Sequence, residues 1–257
     1  MTAPEVLAWR SREAARRGDR LADVGARLEL IVALCARGAR RDAQALIARA
    51  EEDAFAQPGL ALARAKARAC LDRSGSLQEL EAALRTTPDA EGSSILAEGL
   101  SRLGAWERAE AAFQVALDGA EERDHGGIAL RRAENLVLYG RSREAIAALG
   151  PALEGSELVR LSALLLLSGL LLDAGEAERV TELASEAGLI AERRRNWFAL
   201  SCAAMDAAAA WRLKGDDQRG VQILHATLTN IRNHGDPGVL LMARLVELQQ
   251  EQRAAAT

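Results

Sequence analysis

The clearest structural signal in this chain is the segment SILAEGLSRLGAWERAEAAFQVAL, residues 94–117. It contains two segments in which apolar residues recur at the spacing of a helix with one apolar face. Gly104 separates the segments, and glycine is the residue that most readily takes the left-handed conformation that ends a helix. The stretch therefore predicts a hairpin of two helices that pack against each other across a tight turn.

Glycines in the same setting recur along the chain. Each lies between two amphipathic helical segments, at spacings of 37, 29, 36, 35 and 40 residues: Gly38, Gly75, Gly104, Gly140, Gly175 and Gly215. Because one hairpin cannot bury both of its apolar faces, repeated hairpins stack on their neighbours. The loop-forming segment 85–94 coincides with the shortest spacing and predicts an irregularity in the stack.

The hairpin at 94–117 resembles a tetratricopeptide repeat (TPR). Small residues stand where the two helices of that family cross, and a large residue stands in the second helix: Ala97, Ala109, Ala116 and Phe113. The Gly140 hairpin keeps this pattern, whereas the Gly75 hairpin departs from it with Leu80 at a small position. The longer last hairpin resembles the long-helix variety found in bacterial signalling ATPases and transcriptional activators.

The resemblance implies an all-α, right-handed TPR-like solenoid of about six hairpins, forming one domain over residues 1–257. A leading helix is expected in 1–19, hairpins over 20–235 with an irregularity near 85–94, and a capping helix over 236–253. Composition agrees, because apolar residues make up 49% of the chain and aromatic residues only 3%. Such a core is built from leucine and alanine, which are strong helix formers.

Several classes of function are not expected. The net charge of −4 does not predict a nucleic-acid-binding surface. The longest apolar run, residues 161–172, is shorter than the roughly 20 residues of a membrane span. The chain has no phosphate-binding loop, no nucleophile elbow and no His/Cys set at metal-ligand spacing, so we predict no catalytic, cofactor or metal site. The N-terminus has no secretory signal pattern, and a cytoplasmic location is expected.

The resemblance also implies a partner-binding face, since the first helix of each TPR hairpin lines the concave side. The predicted residues are Leu130, Arg131, Glu134, Leu165, Leu166, Gly169, Leu172, Met205 and Arg212. Their leucine and methionine content is typical of surfaces that bind an amphipathic helix or an apolar peptide. The Lys/Asn/Arg set of chaperone-binding members is absent. Two alternatives stay open: that neighbouring helices or segment 236–253 cover this face, and that the chain self-associates through it.

The expected function is a non-enzymatic scaffold or adaptor that binds a protein or peptide segment. Arginine greatly outnumbers lysine, since Lys66 and Lys214 are the only lysines, which indicates a GC-rich and therefore bacterial genome. The alternative is a regulatory or sensor component of a bacterial signalling or transcription-control system that acts with a separate effector chain. The three cysteines are expected to be reduced, buried packing residues.

Overall fold

A computed structural model describes residues 4–55, 57–72 and 75–234. Every regular element in these ranges is a helix. The chain divides into two compact units, Met1–Glu121 and Glu122–Thr257, which are described separately below. The predicted irregularity at 85–94 lies inside the first unit, and the predicted capping helix 236–253 lies outside the described residues.

Unit 1 contains one leading helix and three helical hairpins. Its helices are α1 (Pro4–Arg16), α2 (Arg20–Ala36), α3 (Arg40–Phe55), α4 (Ala61–Cys70), α5 (Ser76–Thr86), α6 (Ala90–Arg102) and α7 (Trp106–Gly119). The first helices of the hairpins, α2, α4 and α6, contact one another in that order. A 3-10 turn at Pro58–Leu60 precedes α4.

Unit 2 also contains three hairpins. Its helices are α8 (Glu122–Leu138), α9 (Ser142–Ala148), α10 (Gly150–Leu153), α11 (Glu157–Asp173), α12 (Ala177–Arg193), α13 (Trp197–Leu213) and α14 (Asp217–His234). A single helix is predicted over 142–154, but it is divided into α9 and α10. Pro151 explains the division, because proline has no N–H to continue the helical bonding and its ring clashes with the preceding turn.

The turns follow the glycine pattern of the sequence. All six turn glycines have positive φ angles, between 70° and 81°, and Gly18 after α1 has the same conformation. After Gly38, Gly104, Gly140, Gly175 and Gly215, the next amide reaches back to the ending helix, as in the bonds from Ala105 to the Leu100 carbonyl at 3.0 Å and from Glu176 to the Leu171 carbonyl at 2.9 Å. These bonds satisfy carbonyl groups that a helix end leaves unpaired.

The turn between α12 and α13 has a residue other than glycine at its left-handed position. Arg195, between α12 and α13, takes the left-handed conformation at φ 52°, and the following amide bonds to the Ala191 carbonyl at 2.8 Å. Its neighbours Arg193 and Arg194 both donate to the Glu157 carboxylate, at 2.7 and 2.6 Å. Part of the basic run 193–195 therefore links α12 to α11.

The helix crossings are formed by small residues, as predicted. Ala97, Ala109, Ala116 and Phe113 are fully buried in the α6–α7 hairpin. The corresponding alanines of the Gly140 hairpin, Ala133, Ala145 and Ala152, are buried as well. The predicted all-α architecture of helical hairpins is thus confirmed for the described residues. Among the described helices, none combines the length and the apolar character needed to cross a membrane.

Candidate functional site

The first helices of unit 2 form a continuous row, because α8 contacts α11 and α11 contacts α13. On α11, Leu161, Leu164, Leu167 and Leu171 are buried, with at most 5% of their surface exposed. The stripe beside them, which includes Leu165, Leu166, Gly169 and Leu172, is half-buried. We call the row made by this stripe and the corresponding stripes of α8 and α13 the first-helix face of unit 2.

The predicted partner-binding residues differ in their surroundings. Leu130, Leu166 and Leu172 are half-buried against one core cluster, which joins α8 to α11. Leu165 packs against the neighbouring cluster that includes Ala203 of α13. Arg131, Gly169 and Met205 are half-buried, whereas Glu134 and Arg212 are exposed. The core thus positions the four leucines and leaves part of each side chain accessible.

Two glycines show where this face is open. A Cβ atom placed on Gly127 of α8, or on Gly169 of α11, would meet no atom of the described residues within 4 Å. Both glycines belong to the face by register, and both lie inside helices. Space for a partner's atoms therefore exists above α8 and above α11.

Asp206 is the unusual polar group on this face. It is half-buried on α13, within the nearly apolar segment CAAMDAAAAW, residues 202–211. Burial raises the pKa of the Asp206 carboxyl above its usual range, and the Ser168 hydroxyl of α11 opposes this by a smaller amount. Burial and the nearby Asp206 carboxylate likewise raise the pKa of the Cys202 thiol. Asp206 was not among the predicted partner-binding residues, although an isolated acid in an alanine-rich helix is visible in the sequence.

Unit 1 contains a separate cavity of about 330 Å³. Apolar side chains of α1, α2 and α4 form most of its wall, and the polar groups in it are Glu29, Lys66 and Glu91. Lys66 Nζ lies 3.0 Å from an oxygen of Asp89 and also pairs with Glu91. Burial alone would lower the pKa of Lys66, but the two carboxylates outweigh burial and raise it. The lysine is therefore a paired ammonium group rather than a free amine nucleophile. Sequence reasoning named none of these residues as a site.

The cysteines are half-buried rather than fully buried, which corrects the expectation from sequence. The Cys70 thiol lowers the pKa of the Cys35 thiol by hydrogen bonding, while the pKa of Cys70 is raised. These two residues lie at the ends of the neighbouring helices α2 and α4. Among the described residues, no three His, Cys, Asp or Glu side chains are grouped closely enough to hold a metal ion.

Comparison with known proteins identifies the fold. No protein-family model matches the chain, and no curated protein sequence matches it significantly. The structure of the apo form of RapI is similar, with a TM-score of 0.66 and 12% sequence identity over 91% of this chain and 73% of RapI. A tetratricopeptide repeat protein from Parabacteroides merdae is similar with a TM-score of 0.54 and 16% identity, over 98% of this chain and 88% of that protein. The chain therefore has a TPR-like helical repeat fold.

Proposed function

We propose that this protein is a non-enzymatic interaction scaffold whose first-helix face in unit 2 binds an extended or helical segment of a protein partner. The proposal includes the predicted contact residues on α8, α11 and α13 and places the protein in the bacterial cytoplasm as an adaptor. A TPR-like fold presents one helix of each hairpin on a continuous surface, which suits binding of a segment rather than catalysis.

One observation supports this proposal: half-buried leucines on the face lie beside open space. Leu165, Leu166 and Leu172 expose apolar surface, and Gly127 and Gly169 leave room above their helices. Partly exposed apolar surface with adjoining free volume is a favourable docking place, since covering it removes apolar area from water.

The test blocks the open space without altering the core. Gly169→Trp adds a large side chain where no atom lies within 4 Å, and Gly119→Trp makes the same change at an open helical position of unit 1. Peptides of 16 residues, displayed on phage, are selected against the immobilised full chain, and the affinity of synthetic copies is measured by fluorescence anisotropy. We expect Gly169→Trp to abolish binding of the selected peptides and Gly119→Trp to preserve it, with unchanged circular dichroism for both.

Two results would contradict the proposal. In one, selection enriches no peptide over a control without bait. In the other, enriched peptides bind the Gly169→Trp variant as tightly as the original chain, so that they use another surface.

A further inference from the structure

We propose that Cys35 and Cys70 of unit 1 form a reversible oxidation site, at which a peroxide converts the two thiols into a disulfide that joins α2 to α4. This inference goes beyond the proposed function, which uses the first-helix face of unit 2. It begins from the way in which α2 and α4 pack against each other.

The register of α2 on α4 places the two cysteines opposite each other. As first helices of successive hairpins, α2 and α4 run in the same direction and are in contact. A Cβ on Gly25, in the second turn of α2, would lie 3.5 Å from a methyl carbon of Leu60, at the start of α4. Cys35 and Cys70 each follow these residues by ten positions. Because steps of three, seven and ten residues stay on one contact stripe of a helix, the two cysteines belong to facing stripes.

A second contact closes the same end of the helix pair. Arg40, at the start of α3, forms an ion pair with Asp72, which follows α4. Arg40 is five residues after Cys35, and Asp72 is two residues after Cys70, so the chain is held together just beyond both cysteines. Both cysteine side chains are half-buried against the same core cluster. They are therefore within reach of each other and of a small oxidant from solvent.

The two thiols differ in reactivity because a hydrogen bond joins them. The bond from Cys70 lowers the pKa of the Cys35 thiol, partial burial opposes this, and the Arg40 guanidinium adds to the lowering. The same bond and burial raise the pKa of the Cys70 thiol. Because the thiolate is the form that attacks an oxidant, Cys35 is the thiol that reacts first and Cys70 is the thiol that resolves the product.

The reaction consumes one molecule of hydrogen peroxide. The Cys35 thiolate attacks one peroxide oxygen, so an S–O bond forms while the O–O bond breaks, and the departing hydroxide takes up the proton released by Cys35 to become water. Cys35 is then a sulfenic acid. Cys70 releases its proton and attacks the Cys35 sulfur, so the S–S bond forms, the S–O bond breaks, and the hydroxyl leaves with that proton as a second water. The two sulfur atoms lose two electrons in total, and the two peroxide oxygens gain them.

The disulfide connects this chemistry to the cavity of unit 1. Val32 lies one turn before Cys35 on α2, Lys66 lies one turn before Cys70 on α4, and both line the cavity. A covalent bond between the next turns restricts movement of these two walls relative to each other. The oxidation state of the pair therefore sets how firmly the walls are joined.

The experiment maps disulfides in the full chain. A Cys202→Ser chain, which keeps Cys35 and Cys70 as its only cysteines, is treated while folded with a small excess of hydrogen peroxide. The chain is then denatured, alkylated and digested without reductant for mass spectrometry. We expect a disulfide between Cys35 and Cys70 within one chain, a mass lower by two hydrogen atoms, and recovery of both thiols after treatment with dithiothreitol.

Two serine variants test the order of the reaction. In Cys70→Ser, the sulfenic acid at Cys35 has no thiol to resolve it and should be trapped by dimedone. In Cys35→Ser, Cys70 should react with peroxide at least about tenfold more slowly than Cys35 does in Cys70→Ser, because a difference of one pKa unit changes the thiolate fraction about tenfold. In the unmodified chain, Cys202 is the matched control, since it is a half-buried thiol in the other unit, and it should stay open to alkylation.

The inference is wrong if both thiols of the folded chain remain open to alkylation after peroxide treatment, or if they form disulfides only between chains. It is also wrong if the Cys35–Cys70 bond forms as fast in urea-unfolded chain as in folded chain, since the fold then does not promote it. The mapping decides the question even where a serine variant fails to fold, because it leaves both cysteines in place. These readouts are independent of peptide binding in unit 2, so failure here leaves the proposed function standing.

Discussion

At the scale of single residues, a charged network joins the first three helices of unit 1. Asp23 of α2 is buried, accepts a hydrogen bond from the Ser11 hydroxyl of α1 at 2.6 Å, and pairs with Arg27. Arg27 also donates to Asp53 of α3 at 3.0 Å, and Arg20 donates to the same carboxylate at 3.0 Å. The Arg27 guanidinium holds the pKa of the Asp23 carboxyl below its usual value, with a smaller contribution from Ser11.

We predict that Asp23→Asn lowers the free energy of unfolding by about 1–3 kcal/mol at pH 7, because it removes a hydrogen-bonded charge and leaves Arg27 partly unpaired. The lowered pKa fixes the sign of the pH dependence. Asp23 stabilises the fold above its unfolded pKa of about 3.9, and this contribution is lost as the pH falls through the folded pKa. Urea titrations at pH 7 and pH 3 should therefore show that the unmodified chain and Asp23→Asn differ less in free energy of unfolding at pH 3.

Asp42→Asn is the control for this change, since Asp42 is exposed in the first turn of α3. Asp42→Asn should change the free energy of unfolding by no more than about 1 kcal/mol, which is the size of a surface helix-dipole interaction. An Asp23→Asn variant as stable as the original chain at pH 7 would show that the network adds no net stability.

At the scale of elements, the α8–α10 crossing depends on a glycine. A Cβ on Gly126 would lie 2.9 Å from the Pro151 carbonyl oxygen and 3.2 Å from the Gly155 Cα. Both are backbone atoms, which cannot move aside as a side chain can. Gly127, the next residue of the same helix, has open space at the corresponding place. Alanine substitutions at these two adjacent positions therefore distinguish the effect of close packing, at Gly126, from the effect of helix propensity, at Gly127.

We predict opposite effects for the two alanine substitutions. Gly126→Ala should lower the free energy of unfolding by about 1–3 kcal/mol, because the added methyl group forces α8 and α10 apart. Gly127→Ala should raise it by up to about 1 kcal/mol, because alanine favours a helix more than glycine does. Denaturant titrations of both variants measure the difference. Equal effects at the two positions would mean that the crossing tolerates a Cβ.

Local sequence signals account for most of the elements. Turn glycines and apolar periodicity predict the helix ends to within a few residues, since left-handed turn geometry is a local property. The division of the helix at Pro151 was not predicted, although proline is itself a local helix-breaking signal. The left-handed turn at Arg195 has no glycine to mark it, and the arginines next to it bond to Glu157 of α11, a contact between residues far apart in sequence.

At the scale of the whole chain, the sequence predicts which residues of α11 are buried better than it predicts contacts between separate helices. The register separates the buried leucines of α11 from the half-buried Leu165, Leu166 and Leu172. It could not show that Asp206 of α13 is half-buried and that its carboxyl pKa is influenced by Ser168 of α11, because this depends on contacts between residues far apart in sequence. The cavity around Lys66 was missed for the same reason, since its wall comes from separate helices.

The stacking of hairpins predicts how far a local loss of stability extends through unit 2. In a repeat fold, each hairpin gains stability mainly from itself and its neighbours. Gly126→Ala should therefore reduce amide protection most in α8, α9 and α10, less in α11, which contacts all three, and least in α14, which packs on α13. Hydrogen exchange measured by mass spectrometry, with Gly127→Ala as control, resolves these helices. An equal loss of protection from α8 to α14 would show that the unit opens as a single cooperative block, and the nearest-neighbour description would then be wrong for it.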